Sequence, residues 1–141
     1  MGGAESLRTG LNHLDQFAWI GAFSSGGMDL QDFGTEFPGL DAAANKKLKL
    51  LWIACGTDDG LVKVNRDFKG WLKGKGVEYT DIETPGAHTW MVWRRNVANF
   101  APIIGTAFMI TSRVRQGTTL CMAGWKYAST RSIVPLPSKS P

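Results

Sequence analysis

No Asp or Glu occurs after Glu83 in this chain of 141 residues. Up to residue 104 the Lys and Arg nearly balance the acids, so Arg113, Arg115, Lys126, Arg131 and Lys139 of the tail carry the formal net charge of +4. No basic face interleaved with aromatics and no helix-turn-helix pattern accompanies that charge, which argues against a nucleic-acid partner. Cysteine is also scarce. Cys55 and Cys121 lie far apart in different kinds of sequence, so neither a disulfide framework nor a metal knuckle is expected. No stretch reaches the ~18 consecutive apolar residues of a membrane helix, so no membrane partner is expected. The first residues lack the basic-then-apolar pattern of a secretory leader, and localisation stays open. Histidine occurs only as His13 and His88.

What is there reads as one globular domain, with 43% apolar residues in a length typical of a single core. Ala4, Leu7, Leu11 and Leu14 recur at spacings of three and four, predicting a helix that ends near Asp15. The run Phe17 to Phe23, closed by Ser24-Ser25-Gly26-Gly27, has the continuous apolar character of a strand buried on both faces. A polar loop with Gly34, Pro38 and Gly39 follows, then a short helix over Leu40 to Lys47 and a second buried strand over Leu48 to Cys55. Leu61, Val64, Phe68 and Leu72 share one side of an amphipathic helix that ends at Gly74-Lys75-Gly76. Val77 to Glu83 alternates like a strand near a sheet edge, and Trp90 to Ile104 is helical again. Strands alternating with helices imply parallel pairing through right-handed crossovers, hence an α/β fold of about three parallel strands with flanking helices. So few strands leave an open sheet edge through which copies of the chain could self-associate.

In open parallel sheets, catalytic groups collect at the carboxyl ends of strands. Two loops qualify: Gly56-Thr57-Asp58-Asp59 after the second strand, and Gly86-Ala87-His88-Thr89-Trp90 after the third. An acid followed some thirty residues later by a histidine, on the loops after consecutive strands, is the chain order of the last two members of an α/β-hydrolase triad. That order places the serine upstream, on a G-x-S-x-G turn between a strand and a helix. Here the first helix is preceded by Met1-Gly2-Gly3, so the serine would fall one residue before Met1.

The runs M-G-G-A-E-S-L-R-T-G-L-N-H-L-D-Q-F-A-W-I-G-A-F-S-S-G, L-L-W-I-A-C-G-T-D-D and T-P-G-A-H-T-W-M-V-W-R-R-N-V-A-N-F resemble the C-terminal half of the esterase D-like α/β-hydrolases. Among these the resemblance is greatest to the feruloyl and acetylxylan esterases of carbohydrate esterase family 1. The resemblance spans residues 1–104 and implies a partial α/β-hydrolase fold. It implies that Met1-Gly2-Gly3 ends a G-x-S-M-G-G nucleophile motif, that the acid is Asp59 rather than Asp58, and that the histidine is His88. It further implies that the Met1 backbone N–H forms half of the oxyanion hole, that no cofactor is needed, and that the substrate is a small-molecule or polysaccharide ester. Without the nucleophile, activity falls on the order of 10⁶-fold in such sites, so this chain alone is expected to be inactive.

Other readings of the same residues stand beside these. Asp58 and Asp59 suit a helix N-terminus, His88 suits a solvated loop, and His13 reads as structural. Ser24 and Ser25 lack the glycine that an elbow requires and follow the wrong strand for the triad order. Trp90 and Trp93 could stack on a sugar or aromatic acid, or pack the last helix. The tail, residues 105–141, matches nothing in the family and reads as an irregular extension, frameshifted or vector-derived, or a linker toward another module. The alternative to an esterase is a non-catalytic remnant or a carbohydrate- or ligand-binding module.

Overall fold

The two apolar runs and the alternating stretch read as strands become adjacent strands of one parallel sheet. The computed structural model describes residues 2–111, 121–122 and 125–126. In chain order these form α1 (Gly2–Asn12), β1 (Trp19–Phe23), α2 (Phe33–Glu36), a 3₁₀ turn (Ala42–Lys46), β2 (Leu50–Gly56), α3 (Val62–Gly74), β3 (Thr80–Thr84), α4 (Trp90–Thr111), β4 (Cys121–Met122) and β5 (Trp125–Lys126). The sheet order is β3-β2-β1-β4-β5. β1 and β2 pair in parallel from Trp19↔Leu50 to Phe23↔Ala54, and β2 and β3 from Trp52↔Thr80 to Gly56↔Thr84. Two short strands of the tail join this set, β4 parallel to β1 at Ile20↔Cys121 and β5 antiparallel to β4. The remaining tail residues expected to be irregular lie outside the described residues.

Each strand starts later than its apolar run because the preceding element takes the first residues. The Phe17 N–H donates to the His13 carbonyl at 2.9 Å, closing the end of α1. Leu48 likewise completes the 3₁₀ turn on Ala44, and Val77 completes α3 on Leu72. The stretch read as a polar loop contains α2, which is short but anchored. Phe33 and Phe37 are buried and pack on Phe68 and Trp71 of α3, with ring centroids 5.0 to 6.0 Å apart. α4 continues through Pro102 to Thr111, beyond the expected end at Ile104.

The alternation along β2 shows why both faces had to be apolar. Leu51 and Ile53 join α1 and α3 residues in the larger core, with Ala4, Leu7, Leu11, Phe68 and Leu72. Trp52 and Ala54 face the other way, onto Phe100 of α4. A strand covered on both sides is the condition under which a parallel sheet is stable. At the outer strand, an ion-pair network braces α3 on β3: Lys69 meets Asp81 at 2.5 Å and Glu83 at 2.9 Å, and Arg66 meets Glu83 at 2.6 Å. Among the described residues no helix is long and apolar enough to cross a membrane.

Candidate active site

The carboxyl ends of β2 and β3 lie side by side because the two strands are parallel neighbours, so the loops leaving them must run together. The Thr57 N–H donates to the Thr84 carbonyl at 2.9 Å and the Asp58 N–H to the Gly86 carbonyl at 3.1 Å. Gly56, the last residue of β2, makes this approach possible. A Cβ there would stand 2.1 Å from the Gly86 carbonyl oxygen, a distance no side chain can occupy.

Asp59 and His88 meet across this junction. The two carboxylate oxygens of Asp59 divide the work: Oδ1 accepts the Leu61 N–H at 2.9 Å, and Oδ2 lies 2.9 Å from His88 Nδ1. Asp59 is not the N-cap of α3, which is Leu61, but one side chain both accepts from that residue and contacts the histidine. Asp58 is exposed and turned outward. The Asp59 side chain is fully buried while that of His88 is 46% exposed. Burial alone would push the Asp59 carboxyl up, but the Leu61 N–H, the Ser24 hydroxyl and His88 outweigh it and hold it below the usual carboxylate range. An ionised Asp59 can only accept, so this contact requires a proton on His88 Nδ1, which leaves the lone pair of a neutral ring on Nε2.

The remaining walls come from β1 and α4. Trp93, one turn into α4, packs edge-on against His88, with centroids 4.8 Å apart at 84°. Its indole N–H donates to Ser24 Oγ at 3.0 Å. Ser24 itself is 3% exposed, bonds through its N–H to the Ala54 carbonyl at 2.8 Å, and is the one described non-glycine residue with positive φ, at 47°. Asn65 of α3 donates to the Ser25 carbonyl at 2.8 Å, tying the end of β1 to the same helix that Asp59 opens. The Cys55 thiol is pushed up to about 11, first by burial and then by the Asp59 charge. It therefore stays protonated at neutral pH and is no nucleophile.

α1 begins at the same end of the sheet. A Cβ on Gly3 would stand 2.6 Å from both the Phe23 carbonyl oxygen and Ser25 Oγ, so the first turn of α1 rests directly on the end of β1. Met1, whose backbone was expected to face an oxyanion, lies outside the described residues. Trp90 is 69% exposed on the first turn of α4, beside Met91 at 60%. His13 is exposed at the end of α1. Sequence reading missed the link between Ser24 and Trp93, since 69 residues separate them and neither spacing nor composition marks the pair. Among the described residues no group of three or more His, Cys, Asp or Glu is placed to hold a metal ion.

Parallel strands covered by helices on both faces define the α/β class, in which ligands and catalytic groups collect at the carboxyl ends of strands. No family model matches the chain. A segment of 49 residues is 41% identical to an acetyl esterase of Caldicellulosiruptor saccharolyticus, covering 35% of this chain and 18% of that protein. The structure is similar to a ferulic acid esterase, with a TM-score of 0.62 and 21% identity, over 74% of this chain and 47% of the other. It is also similar to an S-formylglutathione hydrolase of Staphylococcus aureus, with a TM-score of 0.54 and 25% identity, over 69% of this chain and 45% of the other. The chain carries part of an esterase-like α/β-hydrolase fold. It spans less than half the length of the solved chains that it matches.

Proposed function

We propose that Asp59 and His88 are the acid and the general base of a serine carboxylic-ester hydrolase. The observation that carries this reading is the 2.9 Å contact between Asp59 Oδ2 and His88 Nδ1, with the carboxylate buried and the opposite ring nitrogen left for a reacting group. In such a site His88 Nε2 takes the proton of an attacking serine hydroxyl and returns it to the leaving alcohol. Asp59 meanwhile fixes the tautomer and stabilises the imidazolium. The serine of such a site sits on a strand-to-helix turn, and the close seat of Gly3 on the end of β1 brings the start of α1 toward Asp59 and His88. Residues 1–104 are the esterase portion in this reading and 105–141 an added tail, although its first residues continue α4 to Thr111 and its β4 joins the sheet on β1.

The acyl group proposed is a small acid such as the acetate or ferulate of the relatives' names, and the alcohol proposed is plant polysaccharide or a smaller one, with exposed Trp90 as a stacking surface. Self-association through an exposed sheet edge, such as that of β3, one of the two outer strands, belongs to the same proposal and is read by gel filtration. The 141-residue chain alone is expected to release no burst of p-nitrophenol from p-nitrophenyl acetate. A polypeptide extended upstream along its own reading frame is expected to carry an in-frame G-x-S and to hydrolyse the ester. His88→Ala in it should lower kcat by about 10⁴-fold or more. Hydrolysis that survives His88→Ala, or an acyl group mapped to a serine within the 141 residues, overturns the proposal.

A further inference from the structure

Asp59, His88, Trp93 and Ser24 form a chain of contacts, of which the acid and histidine are only half. Asp59 holds one side of the imidazole through Nδ1 at 2.9 Å, and the edge-on Trp93 ring holds the other at 4.8 Å. The indole in turn is fixed by its N–H on Ser24 Oγ at 3.0 Å. We infer that Ser24 is a positioning residue for the Asp59–His88 pair, its hydroxyl accepting from Trp93 and donating its proton to the Asp59 carboxylate. The inference rests on reading that pair as acid and base.

Backbone geometry makes the hydroxyl the reason for a serine here. At φ 47° a residue with a Cβ is strained, and glycine would sit without strain. A serine kept in that conformation, buried, with its oxygen already accepting one hydrogen bond, has one proton left to place. The carboxylate of Asp59 is the charged acceptor beside it, and the Ser24 hydroxyl is among the groups that hold that carboxylate low. The neighbouring Cys55 thiol is neutral and competes weakly. The hydroxyl thus fixes both walls of the histidine at once. Loss of either contact frees the ring to turn or to take the other tautomer.

The test uses the full 141-residue chain and needs no ester hydrolysis. Ser24→Ala removes the hydroxyl and keeps the strain, whereas Ser24→Gly removes the hydroxyl and relieves it. Nitrogen-15 NMR of the imidazoles reads the His88 tautomer, with exposed His13 as internal reference, and carbon-13 NMR reads the Asp59 carboxyl titration. In both variants the ratio of Nδ1–H to Nε2–H tautomer at His88 is expected to fall about three- to tenfold. The Trp93 indole proton should exchange faster by a similar factor, and the Asp59 titration should move up in pH. An unchanged tautomer ratio in either variant overturns the inference, because an effect confined to one of them belongs to the backbone rather than the hydroxyl. Failure of the upstream-extended polypeptide to hydrolyse esters, with these NMR changes present, would overturn the esterase reading and leave the Ser24 coupling standing.

Discussion

Gly56→Ala is the sharpest perturbation of the junction that brings the two candidate catalytic loops together. The φ of Gly56 is not in the left-handed region, so alanine's backbone preferences do not oppose the change and the effect is purely one of approach. The added methyl would stand 2.1 Å from the Gly86 carbonyl oxygen, 3.0 Å from its carbon and 3.2 Å from the Ala87 oxygen. Both neighbours are backbone, so no side chain can swing away; the loop after β3 must retreat by about 1 Å to reach ordinary contact. That retreat stretches the Asp58 to Gly86 hydrogen bond from 3.1 Å and the Asp59 to His88 contact from 2.9 Å toward about 4 Å, beyond hydrogen-bond range. Overpacking of a tight site costs about 1–3 kcal/mol and a lost hydrogen bond about 1 kcal/mol. The expected destabilisation is therefore about 2–4 kcal/mol, measured by urea unfolding, together with loss of the Nδ1–H tautomer at His88. Gly60→Ala is the control, since nothing lies within 4 Å of a Cβ there. A Gly56→Ala unfolding free energy within about 0.5 kcal/mol of the parent, with the tautomer intact, would refute the argument.

Asp59→Asn keeps the shape but removes the charge, and in an active, longer polypeptide it should lower kcat by about 10³- to 10⁴-fold with little change in KM; steady-state kinetics read it, and a loss under tenfold would contradict the assigned role. Glu83 is held down to about 2, first by its hydrogen bond to Arg66 and then by Lys69, against an ordinary value of 4.5. Its folded-state value lies below its unfolded one, so its stabilisation is full above about pH 4.5 and is lost as pH falls from there toward 2. Glu83→Gln should flatten the acid limb of a thermal-midpoint against pH curve, and an unchanged limb would count against the network. Phe33→Ala in the short α2 empties a fully buried site between Phe68 and Trp71 and should cost about 3–5 kcal/mol by urea unfolding. A cost below about 1 kcal/mol would mean that α2 is not anchored as described.

Much of this was legible in advance because parallel α/β folds write their order into the chain. The apolar runs at Phe17 to Phe23 and Leu48 to Cys55 could be read as doubly buried strands, and the Leu61, Val64, Phe68 and Leu72 stripe as the helix between β2 and β3. Their termini were less legible, since Phe17, Leu48 and Val77 serve turns whose hydrogen bonds run back to His13, Ala44 and Leu72. α2 was hidden because four residues among Gly, Asp and Thr carry no periodicity. Its Phe33 gains meaning only from the α3 rings it meets.

By itself the sequence determined the fold class and the two strand-end loops with their candidate acids Asp58 and Asp59 and His88, because those loops follow from chain order; the preference for Asp59 came from the family resemblance. Tertiary structure alone decided that both oxygens of Asp59 are used, that Gly3 and Gly56 stand where backbones nearly touch, and that Ser24 reaches Trp93 across 69 residues. Such contacts depend on distances of a few ångströms between segments remote in the chain. Local pattern carries the direction in which a side chain points, not what it will find there.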